Sequence, residues 1–117
     1  MPWEVEGTDE FAAWYGALDV GAQDSVNYLV AKLEEAGPTL RRPAADTVVG
    51  SRFPNMKELR INTPPLRIFF AFDPRRTAIL LIGGDKTGDT SFYDRMIPIS
   101  DDLFEEHLRH LETEHGN

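Results

Sequence analysis

Arg60, in the stretch KELRI, and Arg67, in LRIFFAF, are the two side chains best suited to chemistry in this sequence. A guanidinium group is charged at every physiological pH and presents a planar fork of donors that matches phosphate oxygens. Residues 62–65, NTPP, form a short turn between the two arginines. If that turn pairs Ile61 with Leu66, Arg60 lies opposite Arg67 and Leu59 opposite Ile68. Both arginines then leave the same face, with Cβ atoms roughly 5 Å apart. Like charges directly opposite one another destabilise a hairpin. Two arrangements relieve this. Either Glu58, a diagonal neighbour of Arg67, pairs with it while Arg60 reaches solvent, a surface pair worth about 0–1 kcal/mol, or the two guanidinium groups together hold a phosphate.

Further cations lie close by in sequence. Arg52 and Lys57 precede Arg60, Arg75 and Arg76 occupy the next turn, and Lys86 follows the third apolar run. Together they predict a concave basic surface. The net charge is −8, from 12 Lys and Arg against 20 Asp and Glu, which by itself argues against an anionic partner. The distribution reverses that inference. Residues 1–37 hold one cation against eight acids, residues 38–88 nine against four, and residues 89–117 two against eight. Charges more than a Debye length apart, ~8 Å at physiological salt, barely interact, so a positive face can operate on an acidic chain.

Other chemistries find little support. The absence of cysteine removes disulfides, thiolate metal sites and a Cys nucleophile. His107 and His110 are spaced i, i+3, and His115 follows, but Glu105, Glu106 and Glu112 among them mark a solvated helix face, so no metal site is expected. GGDKTG is not a phosphate loop, because Lys86 follows Asp85 where that motif needs glycine. It reads either as a tight turn alone, using Gly83, Gly84 and Gly88 for unusual backbone angles, or as such a turn that also presents Lys86. Ser91 and Ser100 have no base in view. Tyr93 is a candidate proton donor or a helix-packing residue. Phe69, Phe70 and Phe72 read as core, although an outward Phe69 beside Arg67 could stack on a base. No cofactor is called for.

The elements that must position these residues follow from periodicity. At 117 residues the chain has room for one domain, spanning 1–117. Residues 3–6 alternate apolar and acidic as a short edge strand. Thr8, Asp9 and Glu10 open a first helix with an apolar stripe of Phe11, Trp14, Tyr15 and Leu18. Val26, Leu29, Val30 and Leu33 define a second, stopped by Gly37 and Pro38. Residues 37–47 read as a loop. Strands are predicted at 56–62, 66–72 and 77–82, the last apolar on both faces and therefore central. A short helical stretch at 90–96 ends before Pro98. Ser100, Asp101 and Asp102 then cap a final helix. The order implies an α+β fold in which a helical hairpin and a C-terminal helix pack on a small, mostly antiparallel sheet. The N-terminus lacks a signal-peptide pattern and the longest apolar run, AILLIGG, is too short to span a bilayer, so no membrane is expected and the cytoplasm is the default location.

In sequence order FPNMKELR, LRIFFAF and AILLI with its lysine-bearing turn, behind a helical hairpin, the chain resembles toxins of the RelE/ParE superfamily, specifically the HigB-like, phage-derived branch of bacterial type II toxin–antitoxin modules. The resemblance implies a RelE-like fold and a metal-independent endoribonuclease that cuts mRNA on the ribosome and stops translation. It implies catalytic roles for Arg60, Arg67 and Lys86. RNA-binding roles are expected for Lys57, Arg52, Arg75, Arg76 and Tyr93. The implied partner is a cognate helix-turn-helix antitoxin, through which alone operator DNA is contacted. Many relatives carry Phe-x-Lys-Lys after the third strand; this chain has Gly-Gly-Asp-Lys-Thr-Gly there. Two alternatives stay open: a non-enzymatic inhibitor of DNA gyrase, as ParE-like relatives are, or a toxin-like chain that only binds antitoxin.

Overall fold

The computed structural model describes residues 2–114. Thr8 and Asp19 each turn the chain into a helix by accepting a backbone N–H of its first turn, Thr8 Oγ1 from Phe11 at 3.0 Å and Asp19 Oδ1 from Ala22 at 2.8 Å. They open α1 (Asp9–Gly16) and α2 (Val20–Ala36). Strands β1 (Val5–Gly7), β2 (Ala45–Thr47), β3 (Lys57–Ile61), β4 (Leu66–Phe72) and β5 (Ala78–Asp85) form one sheet in the order β1-β5-β4-β3-β2. Only β1 with β5 is parallel. The last element is α3 (Phe92–Glu114). The fold is α+β, as the periodicity predicts.

Side-chain alternation on the strands sorts the core into two halves. Leu59, Ile61, Leu66, Ile68, Phe70 and Leu80 face the α1–α2 hairpin, meeting Val26, Leu29 and Leu33. Met56, Phe69, Ala71, Ile79 and Leu81 face the other way, against Phe92, Met96 and Phe104 of α3. β4 is buried on both sides because helices cover both faces of the sheet. A register shift between Phe69 and Phe70 pairs them with Ile82 and Leu80, leaving Leu81 as the extra residue of a bulge.

Four expectations are corrected. Residues 37–47 are not only loop: they include a 3₁₀ turn at Gly37–Thr39 and β2, whose three residues are too few to show a period. The edge strand begins at Val5, two residues later than residue 3. Gly83 and Gly84 belong to β5, not to a turn. Their missing side chains admit rings, since a Cβ on Gly83 would lie 2.4 Å from Trp14 Cε3 and one on Gly84 2.8 Å from Phe92 Cε1. Only Gly88 of that stretch has a positive φ, 63°. Finally, α3 runs unbroken through Pro98. A proline inside a helix costs roughly 3 kcal/mol, but the buried stripe Phe92, Met96, Ser100, Phe104 continues across it. Ser100 Oγ donates back to Met96 O at 2.9 Å, and the buried Asp101 serves the loop after β2 by accepting from Ser51 Oγ and Arg52 N. Neither caps a new helix. No helix among the described residues is long and apolar enough to cross a membrane.

Candidate functional site

The turn at 62–65 pairs Ile61 with Leu66, Arg60 with Arg67 and Leu59 with Ile68. Arg60 and Arg67 therefore share the α3 face of the sheet, together with Glu58, two residues before Arg60 on β3. Glu58 is the hub. It is 4% exposed, and its Oε2 accepts from Arg60 Nη1 at 2.7 Å. Its Oε1 accepts from the Tyr93 hydroxyl at 2.8 Å and lies 3.9 Å from Arg67 Nε. Arg67, also 4% exposed, donates from Nη1 to the carbonyls of Ile61 and Leu66, both at 2.9 Å. Its Nε is buried without a hydrogen-bond partner among the described residues. The repulsion expected between opposed arginines is thus offset by one carboxylate between them.

Tyr93 comes from the first turn of α3, and Lys86 from the residue after β5. Lys86 Nζ sits 5.3 Å from the centre of the Tyr93 ring, a cation–π distance. Burial, reinforced by the Glu58 carboxylate, raises the Tyr93 hydroxyl above its ordinary pKa, so it keeps its proton near neutrality. The cluster at this end of the sheet thus combines a carboxylate acceptor, a neutral hydroxyl donor and three fixed cations.

The sequence leaves two arrangements open, Glu58 paired with Arg67 while Arg60 reaches solvent, or both guanidinium groups over a phosphate. The structure places them on Glu58, with Arg67 enclosed and Arg60, its side chain 23% exposed, the more accessible. The single concave basic surface does not form either. Lys57 alternates onto the hairpin side of the sheet, where Nζ donates to Pro38 O at 3.1 Å. Arg52 spans to Asp102 and Glu105 of α3. Arg75 is held by Glu6 and Asp73, and Arg76, with φ 66°, covers the Trp3 ring. That turn lies a whole strand away from Arg67, roughly 20 Å. Phe69 is fully buried against Phe92 and Tyr93 and is not a base platform.

Sequence reasoning weighed Glu58 only as a surface partner. Its spacing, i, i+2 to Arg60 on one strand, was the available signal for a shared face. Glutamates surround His107 in sequence, yet its Nε2 meets the fully buried Asp73 carboxylate at 2.8 Å. No group of three or more His, Asp or Glu among the described residues is placed to hold a metal ion. His115 lies outside the described residues.

Comparison with solved structures defines the class. Isolated E. coli RelE toxin superposes with a TM-score of 0.60 at 8% identity, covering 71% of this chain and 83% of that one. The toxin–antitoxin complex RelBE2 from Mycobacterium tuberculosis contains a chain that matches with a TM-score of 0.56 at 13% identity, covering 73% and 99%. At such identities the likeness is one of fold, and the fold is RelE-like. Sequence goes further. Residues 13–105 match the family described as "Phage derived protein Gp49-like (DUF891)". Over 104 residues the chain is 50% identical to "Putative toxin HigB3" of M. tuberculosis, covering 88% of this chain and 89% of that protein. Over 108 residues it is 44% identical to "Putative toxin HigB2" of the same organism, covering 89% of this chain and 54% of the relative, so it spans about half of that protein's length. The chain belongs to the phage-derived Gp49-like family and is a RelE/HigB-like toxin.

Proposed function

We propose that this protein is the toxin of a type II toxin–antitoxin module and cleaves mRNA on the ribosome without a metal ion. The observation that carries the reading is the Glu58–Arg60–Tyr93 cluster, backed by Arg67 and Lys86 at one end of the sheet. Glu58 takes the proton of the RNA 2′-hydroxyl as its oxygen attacks the adjacent phosphorus. Arg60 swings from Glu58 to the phosphorane oxygens, where fixed positive charge is worth about 10²–10³ in rate. The bond from phosphorus to the 5′-oxygen breaks, and that oxygen is protonated from the Tyr93 hydroxyl, beside Lys86. The products are a 2′,3′-cyclic phosphate and a 5′-hydroxyl. Arg67, enclosed and bonded to two carbonyls, is a positioning residue whose guanidinium lies against Glu58.

Arg60 and Glu58 occupy one another, so Arg60 must leave Glu58 to reach a phosphate. A site that opens only when substrate and ribosome orient the strand has little activity on free RNA. The partner is an antitoxin; the RelE-like neighbours solved as RelBE and RelBE2 toxin–antitoxin complexes support this. The cytoplasm, where ribosomes are, is the site of action.

The test is induced expression with mapping of transcript 5′ ends. Cuts within translated messages, lost in Arg60→Ala and Glu58→Gln, are expected. Arrest that persists in Arg60→Ala, rapid degradation of free RNA by the purified protein, or DNA damage without transcript cleavage would each reject the reading.

A further inference from the structure

A groove of about 640 Å³ lies along the β2 edge, lined by Thr39, Arg41, Arg42, Asp46, Thr47 and Lys57 among others. Three cations against one acid is an unusual concentration in a chain of net charge −8. Arg42 is held by Asp46 at 2.7 Å but keeps its side chain 71% exposed. Lys57 Nζ uses one donor on Pro38 O. Among the described residues Arg41 forms no ion pair. The two threonine hydroxyls add neutral hydrogen-bonding capacity. This groove abuts the candidate catalytic cluster across a single strand: Asp46 is the cross-strand partner of Glu58, and Arg60 N donates to Ala44 O at 2.9 Å.

We propose that this groove is a second RNA-backbone site, in which Arg41, Arg42 and Lys57 hold phosphodiester groups of a strand that flanks the cluster. The inference rests on the ribonuclease reading and extends it, because the catalytic cluster alone spans about one phosphate. Phosphates come either from the transcript or from ribosomal RNA, and the chemistry at the groove is the same. An acidic peptide fits less well. β2 has three residues and offers few backbone partners to an added strand, and the groove holds no aromatic anchor of the kind protein partners bury.

The test measures binding of the full-length protein to uncleavable 2′-O-methyl RNA 20-mers, to bare ribosomes, and to ribosomes carrying a 2′-O-methyl transcript. In Arg41→Ala/Lys57→Ala, affinity for RNA falls roughly tenfold at low salt, and the slope of log affinity against log salt falls by about 1.4, for two lost phosphate contacts on a single strand. The loss is equal for unrelated sequences, and Arg41→Lys/Lys57→Arg retains binding. Loss on transcript-bearing ribosomes alone assigns the groove to the message; loss on bare ribosomes as well assigns it to ribosomal RNA. Unchanged affinity and slope on every probe overturn the proposal, as does intact RNA binding with weakened antitoxin binding. If the wild type binds RNA and the groove variant does not, yet no transcript is cut, the groove stands and the nuclease reading fails. If the wild type cuts and the groove variant binds equally well, the groove alone fails.

Discussion

Replacing Glu58 by glutamine preserves the shape of the side chain and removes its charge, which makes it the sharpest probe of the cluster. In the wild type that charge faces Arg60 Nη1 at 2.7 Å and Arg67 Nε at 3.9 Å. Arg67 is 4% exposed and would keep two backbone carbonyls but no anion. Removing one partner of a buried ion pair typically costs about 3–5 kcal/mol, because the other charge is stranded. The partial exposure of Arg60 and the surviving carbonyls put Glu58→Gln at the lower end, about 3 kcal/mol. For a domain of this size each kcal/mol is worth roughly 4 °C, so Tm should fall by about 12 °C. Urea unfolding with an unchanged m-value would report the same loss. A double-mutant cycle isolates the cause: in an Arg67→Met background the same substitution should cost less than about 1 kcal/mol. An equal cost in both backgrounds, or a single-variant cost under about 1 kcal/mol, would refute the dependence of Arg67 on Glu58.

Burial alone would raise the Asp73 carboxyl, but hydrogen bonds from His107, Arg75 and the Thr77 N–H outweigh it and hold the pKa below its ordinary value. Its stabilising effect is therefore full above the unfolded value of about 3.9 and is lost as pH falls through the lower folded value. Asp73→Asn should lower Tm at neutral pH and flatten the acid limb of the Tm–pH curve; a parallel displacement at all pH values would contradict this. Gly83→Ala drives a methyl to 2.4 Å from Trp14 and should destabilise by about 1–3 kcal/mol in urea, and an unaltered midpoint would show that α1 yields freely. If the acidic α1–α2 hairpin receives a basic segment of the antitoxin, Glu34→Lys with Glu35→Lys, both exposed on α2, should slow association at low salt in stopped-flow mixing, since surface charge acts mainly on the on-rate; an unchanged rate would count against such docking.

The fold was legible where period and length were both ample. α2 and β4 announce themselves by spacing, and the four-residue turn fixed the Arg60–Arg67 register. β2 was not legible, because three residues carry no period and its pairing is decided by β3. The unbroken α3 was hidden for a related reason. Pro98 is a local stop signal, and it is overridden by a buried stripe whose partners lie across the sheet. At the candidate site the sequence revealed which residues share a face but not what they hold. Whether Arg67 meets solvent or Glu58 depends on how closely α3 lies on the sheet, which brings Tyr93 over Glu58. Arg52, Arg75 and Lys57 were grouped with the site by nearness in sequence; strand length and side-chain alternation carry them elsewhere.

The bare backbone at Gly83 and Gly84 ties together the histories of four positions in two pairs. Trp14 rests on one side of β5 and Phe92 on the other, each within a distance that leaves no room for a methyl group. A lineage that acquires a side chain at position 83 must shrink the indole, and one that fills position 84 must surrender the phenyl ring. Substitutions there should be inherited as sets. The strand leading to Lys86 is thereby gripped from above and below, and its freedom to drift is smaller than its short, plain sequence suggests.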